Sequence, residues 1–202
     1  MGYKYMNLAN KLTIFRIILV PIMVIFAYLP LGGDVYGVTT AMIIMEVIFI
    51  IASITDKLDG YIARSRNQVT TFGKFLDPLA DKILVLAAMV ILVEKGLLPA
   101  WIPVIVLARE FIVSGFRLIV VEKGGKVIAA SIWGKLKTVT QMIALIFAFI
   151  DVHGFFAFVN GGISGFALVI NIITSVMMAI SVVATVFSGW NYLASGKDLF
   201  KE

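Results

Sequence analysis

The chain of 202 residues contains no cysteine, a single histidine and little charge. Without cysteine there is no thiol nucleophile, no disulfide and no thiolate zinc site, and the redox compartment is left open. The one histidine, His153, stands beside Gly154 far from any cluster of acids, so it is given no catalytic role. Charged residues make up 14% of the chain and hydrophobic ones 61%. A soluble domain has about 25% charged and roughly 45–50% apolar residues. A soluble core of this size cannot hide so much apolar surface, so lipid is the expected solvent. Neither a shift in composition nor a long linker divides the sequence, which predicts one integral membrane domain over residues 1–202. The net charge of +5 fits basic loops facing anionic headgroups, and nucleic acid is not expected as a partner.

What the chain does have is long apolar runs. A spanning helix needs about 20 mostly apolar residues. Six such spans are predicted, over residues 12–31, 36–64, 73–93, 99–121, 134–150 and 163–192. A short interfacial helix is expected before them, at residues 1–10, where Tyr3, Tyr5, Met6 and Leu8 sit among polar residues. The first run lacks a small-residue cleavage site and is read as a retained span rather than a signal peptide. The fold class is therefore all-α, a multi-pass membrane protein. Six spans leave three short loops on one side, at residues 32–37, 94–98 and 151–162, and these hold one basic residue, Lys95. The other basic residues lie in the remaining loops, the termini or the helices leading from them, with Arg109 discounted because it sits deep in a span. The positive-inside rule then places both termini at the cytoplasmic face of the cell (inner) membrane. Trp101, Trp133 and Trp190 fall near span ends, where aromatic belts are expected. Glu46, in the middle of the second span, has no assigned role.

Against this background one stretch is anomalous: "TDKLDGYIARSRNQVTTFGKFLDPLADK", from Thr55 to Lys82, carries Asp56, Asp59, Asp77 and Asp81. Asp56 and Asp59 are three apart and share a helix face with Gly60, Ala63 and Arg64. Gly73, Asp77, Ala80 and Asp81 repeat the pattern on the next helix. The polar segment between them lets the chain turn back, so the two acidic stripes are expected to face one another. Four facing carboxylates would repel, and an intramembrane aspartate alone costs about 2.5–3.5 kcal/mol on insertion scales. Two divalent cations would cancel the charge. An all-oxygen set without cysteine or histidine points to Mg²⁺, Mn²⁺ or Ca²⁺ rather than zinc. The lack of an EF-hand loop argues against calcium storage. A carboxylate-held metal pair ~3.5–4 Å apart is a recurring engine of phosphoryl transfer. Gly60, Ala63 and Gly73 leave room beside it for something flat and bulky, such as a nucleoside.

The stretch resembles the signature of the CDP-alcohol phosphotransferases, D-x-x-D-G-x-x-A-R, eight residues, G-x-x-x-D-x-x-x-D. Here it reads "DKLDGYIAR", "SRNQVTTF", "GKFLDPLAD" without departure, over residues 56–81. "NKLTIFR" is similar to the family's N-terminal N-x-x-T-x-x-R. "LAREFIVSGFRLIVVEKG" and "VIAASIWGKLKTVTQM" resemble the branch whose acceptor is sn-glycerol 3-phosphate. The resemblance implies a six-helix membrane fold, a homodimer, and Mg²⁺ (or Mn²⁺) as two ions per active site. It implies attack of the acceptor's primary hydroxyl on the β-phosphorus of CDP-diacylglycerol, giving phosphatidylglycerol phosphate and CMP. By the same analogy Asp56, Asp59, Asp77 and Asp81 hold the metals, and Asp81 takes the acceptor's proton. Asn10, Thr13, Asp59, Gly60, Ala63, Arg64, Thr70 and Gly73 belong to the CDP site, with Arg16 nearby.

An acceptor that carries a phosphate calls for further cations. Arg109 and Arg117 lie eight apart on the fourth span, near one stripe, and an intramembrane arginine usually faces a cavity. A planar guanidinium can hold phosphate through two donors. Lys135 and Lys137 open the fifth span. These four are the candidate acceptor-phosphate residues, against the plainer alternative that Arg109 pairs with Glu110 and the lysines mark the membrane boundary. Other acceptors in the same family, namely inositol phosphate, serine or phosphatidylglycerol, remain open. So does a divalent-cation transporter, although the acids cluster at one end of their helices rather than near the bilayer midplane. A membrane prenyltransferase also uses paired aspartates but fits the Gly60, Ala63 and Arg64 face less well.

Overall fold

The computed structural model describes residues 7–35, 37–65, 71–122 and 131–195. Among them the chain forms six α-helices, α1 Leu8–Tyr28, α2 Thr40–Ser65, α3 Thr71–Glu94, α4 Trp101–Glu122, α5 Ile132–Ala148 and α6 Gly165–Ser195. Each falls on one predicted span, with ends displaced by a few residues. Two features were not expected. A hairpin of two-residue strands, β1 Asp34–Val35 and β2 Val38–Thr39, precedes α2, with Asp34 opposite Thr39 and Val35 opposite Val38. Gly33 (φ +93°) and Gly37 (φ +83°) supply the left-handed backbone it needs. A turn of 3₁₀ helix, Ala157–Asn160, lies in the loop before α6. Residues 1–6 of the expected interfacial helix lie outside the described residues, and Leu8–Asn10 belong to α1 itself.

The chain folds as two compact units, Met1–Glu94 and Lys95–Glu202. In the first, α1 packs on α2 and α3, and α2 on α3. The side chain of Asn7 caps α1 by accepting from the Asn10 N–H at 2.9 Å. From that start the buried residues of α1 are Ala9, Asn10, Thr13, Arg16, Leu19, Val20 and Met23. They recur every three or four residues, so Asn10, Thr13 and Arg16 occupy the inward stripe. The tyrosyl hydroxyl of Tyr28 donates to Glu94 Oε2 at 2.7 Å and joins the far ends of α1 and α3.

In the second unit α6 packs on both α4 and α5. Ser131 caps α5 by accepting from the Gly134 N–H at 3.2 Å. The inward face of α6 is polar. Asn171, Ser175, Ser181, Thr185 and Ser188 are fully buried, while Phe166, Val169, Val183, Val186 and Trp190 on the same helix are exposed. A helix in water is arranged the other way round. Among the described residues two helices, Leu8–Tyr28 and Gly165–Ala194, are long and apolar enough to cross a membrane by length and composition.

Candidate active site

α1 brings a threonine and an arginine to the acids of α2 and α3. Thr13, buried, has its hydroxyl 2.7 Å from Asp77 Oδ1 and 3.4 Å from Asp59 Oδ2. The same oxygen lies 3.1 Å from the Ala9 carbonyl one turn earlier. One proton serves three acceptors, and the shortest contact favours Asp77. Arg16 is wholly buried. Its Nη2 donates to Asp59 Oδ2 at 2.5 Å, and its Nη1 lies 2.7 Å from Asp56 Oδ1 in an ion pair. That second approach is off the hydrogen-bond direction, and Nε has no partner. Asp59 is 2% exposed, whereas the Asp56 side chain is 39% exposed. The five side chains therefore run from a closed interior at Asp59 and Arg16 to an open edge at Asp56.

The first unit thus gathers Asp56, Asp59 and Asp77, from two different helices, about residues of a third. Asp81 is half-buried one turn beyond Asp77, and Ala80 between them is buried. Asn10 is buried on the same α1 stripe as Thr13. Gly73 is buried and Gly60 half-buried. Thr70 and the side chains of Ala63 and Arg64 lie outside the described residues.

The donor chemistry fits a hard divalent cation. It consists of carboxylate oxygens and one hydroxyl, and the single guanidinium of Arg16 leaves three carboxylates with surplus negative charge. Among the described residues no three acidic or histidine side chains gather at metal-binding spacing. The acids close on Thr13 and Arg16 rather than on a common point.

The second unit holds the basic candidates. Arg109 Nη1 donates to Glu110 Oε1 at 2.7 Å and Nη2 to Ser188 Oγ at 2.5 Å. Lys137, buried on the inward face of α5, donates to the same Glu110 oxygen at 2.6 Å. Arg117 and Lys135 are exposed. The structure thus joins two of the four candidates, through the carboxylate that the plainer alternative named. Sequence reasoning missed Ser188, although its position on the buried polar stripe of α6 was a legible signal. His153 is exposed in the loop before α6, and its backbone N–H donates to Asp151 Oδ1 at 3.0 Å.

Residues 6–187 match the family described as CDP-alcohol phosphatidyltransferase. The chain is 41% identical over 201 residues to a CDP-diacylglycerol–glycerol-3-phosphate 3-phosphatidyltransferase of Bacillus subtilis, covering 96% of this chain and 97% of that protein. It is 46% identical over 143 residues to the protein of the same name from Haemophilus influenzae, covering 69% and 73%. A probable phosphatidylglycerophosphate synthase of Mycobacterium tuberculosis is 37% identical over 188 residues, covering 93% and 80%.

Proposed function

The chain belongs to the CDP-alcohol phosphatidyltransferase family, and on that premise we propose that it transfers the phosphatidyl group of CDP-diacylglycerol to sn-glycerol 3-phosphate. The products are phosphatidylglycerol phosphate and CMP. The observation that carries this reading is the meeting of Asp59 from α2 and Asp77 from α3 at the Thr13 hydroxyl of α1, beside the Arg16 guanidinium. It places the two halves of the acidic signature on one residue of the N-terminal motif.

Asp56, Asp59, Asp77 and Asp81 would hold two Mg²⁺ or Mn²⁺ ions, which when bound supply Lewis acidity toward the pyrophosphate. Thr13 orients Asp77, and Arg16 fixes the rotamers of Asp56 and Asp59. Asp81 accepts the proton of the acceptor's primary hydroxyl as the new oxygen–phosphorus bond forms. The bond from the β-phosphorus to the bridging oxygen breaks, and that oxygen leaves with CMP. Gly60, Ala63 and Gly73 leave space for the cytidine, with Asn10, Arg64 and Thr70 around it. Arg109, Arg117, Lys135 and Lys137 supply positive charge for the acceptor's phosphate.

The setting we propose is a homodimer of six-span chains in the cell membrane, with the acidic cluster and both termini on the cytoplasmic side. The inverted polarity of α6 supports the membrane setting, and the near-absence of basic residues from alternate loops supports its orientation. The test is CMP release from CDP-diacylglycerol by purified protein in detergent, with glycerol 3-phosphate, inositol phosphate or no acceptor, each with and without Mg²⁺. Release that requires both glycerol 3-phosphate and Mg²⁺ is expected. Release that follows inositol phosphate instead would reassign the acceptor. Absence of release with every acceptor, together with metal flux into liposomes, would make the chain a transporter.

A further inference from the structure

Glu110 has no place in the reaction as set out above, yet it is the hub of the basic cluster. Arg109 Nη1 and Lys137 Nζ converge on one of its oxygens, at 2.7 and 2.6 Å. All three side chains are mostly buried, 14%, 17% and 10% exposed for Arg109, Glu110 and Lys137. The arginine is held on its other side by Ser188, and Gly189 and Gly134 lie alongside it, near enough that a methyl group at either would be in ordinary van der Waals contact with its side chain. Helices α4, α5 and α6 thus build a seat in which a guanidinium and an ammonium are fixed about a single carboxylate. One donor of the seat is unspent: Arg109 Nε is buried and has no hydrogen-bond partner. A buried donor without an acceptor is unfavourable, which leaves the seat with a donor to offer an anion beyond Glu110.

We propose that Glu110 is a specificity-determining residue, an internal anion that competes with the acceptor's phosphate for Arg109 and Lys137. The inference rests on the reading that these two cations bind that phosphate. Its physical basis is the sign and number of charges. Within this trio two cations share one carboxylate, so positive charge is in excess while the best donor positions are already engaged. An incoming phosphate must displace or share the Glu110 contacts. A phosphate dianion, with three oxygens and double charge, offers Arg109 Nε and Lys137 more than a carboxylate or a hydroxyl can. A neutral acceptor or a carboxylate gains nothing over the residue already there. The carboxylate weakens binding of the proper acceptor somewhat and in return sets a threshold that weaker ligands fail to reach. It also keeps the two cations from repelling each other out of position.

The experiment compares parent, Glu110→Gln and Glu110→Asp, as full-length protein in detergent, by steady-state CMP release with inorganic phosphate as the competing anion. For Glu110→Gln the KM for glycerol 3-phosphate should fall about fivefold, the scale of a partly buried ion pair. The inhibition constant of inorganic phosphate should fall by a similar factor, while the KM for CDP-diacylglycerol stays at the parent value. Glu110→Asp, whose carboxylate is drawn back by one methylene, should move both constants the same way by a smaller factor. A merely structural carboxylate predicts the reverse, and a KM for glycerol 3-phosphate that rises or stays unchanged in Glu110→Gln overturns the proposal. Should that variant not fold, the sign of the change in Glu110→Asp decides in the same manner. The parent enzyme separates this outcome from the wider reading: if it turns over with glycerol 3-phosphate, only the role of Glu110 is in question, and if it does not, the acceptor assignment itself has failed.

Discussion

The single proton of the Thr13 hydroxyl lies within reach of the carboxylates of two helices, Asp59 on α2 and Asp77 on α3. A hydrogen bond to a charged group is worth about 1.5–3 kcal/mol. Replacing Thr13 by valine keeps the shape and removes the donor, so kcat/KM for CDP-diacylglycerol should fall roughly tenfold or more. Thr13→Ser should keep most of the activity, and CMP release measures both. Arg16 presents a different balance. It is wholly buried against Asp56 and Asp59, and removing one member of a buried pair costs about 3 kcal/mol or more because the partner charge is left unpaired. Arg16→Met should therefore lower the melting temperature in detergent. Since the stranded carboxylates then have more to gain from a divalent cation, added Mg²⁺ should raise that temperature further in the variant than in the parent. An equal rise in both would show that Arg16 and the cation do not act on the same oxygens. Asp59→Asn goes to the chemistry itself. If that carboxylate holds an ion that contributes several kcal/mol of charge stabilisation, CMP release should fall by about 10³-fold.

Helices in this protein were legible from apolar run length, and the convergence of Asp56, Asp59 and Asp77 from spacing, because both are local properties. Asp56 and Asp59, like Asp77 and Asp81, sit on one face whatever packs against them, and their charge leaves few ways to be buried. What a linear pattern could not supply was the choice among partners. Arg109 takes an adjacent glutamate and a serine 79 residues away as its acceptors, while a lysine of α5 joins it at the same carboxylate. The hairpin at Asp34–Thr39 depends on two glycines with positive φ, which composition does not announce. The polarity of α6 was readable by period but easily overlooked in so apolar a run. Asn171 is its clearest example. Its amide nitrogen donates to Asp151 Oδ2 at 2.7 Å and to the Gly154 carbonyl at 2.6 Å, and its amide oxygen accepts from the Phe158 N–H at 2.8 Å. One side chain thus pins the loop between α5 and α6. Asn171→Leu leaves the Asp151 carboxylate and the Gly154 carbonyl buried without it, at about 1–3 kcal/mol for each orphan, and also frees the half-buried Phe158 N–H. The variant should be destabilised by at least 2–3 kcal/mol. Hydrogen exchange should rise first in residues 151–158; unchanged exchange there would mean that the loop is held by something else, such as the Phe156 N–H bond to Ser175 Oγ.

At the scale of the whole molecule the open question is which solvent meets which surface. Tertiary packing alone hides the hydroxyls and amides of α6 and leaves Phe, Val, Ile and Trp outward. A helix so arranged minimises free energy when the surroundings are as apolar as its outer face. The charge pattern adds direction. The loop at residues 151–162 carries His153 but neither lysine nor arginine, whereas Lys135 and Lys137 open α5 at its other end. The polypeptide has no cysteine, so one introduced thiol is the sole thiol in the protein and reports its own side without a background. His153→Cys and Lys135→Cys both fall at exposed positions. In right-side-out vesicles a membrane-impermeant maleimide should label the first and spare the second. In inverted vesicles the pattern should reverse. Labelling of both from one side would place residues 135 and 153 in the same compartment, and α5 would then not cross the bilayer. Labelling of the second alone in right-side-out vesicles would put Lys135 and Lys137 on the outer face, away from the cytoplasmic pool of glycerol 3-phosphate that the proposed reaction consumes, and the charge-based orientation would have to be abandoned.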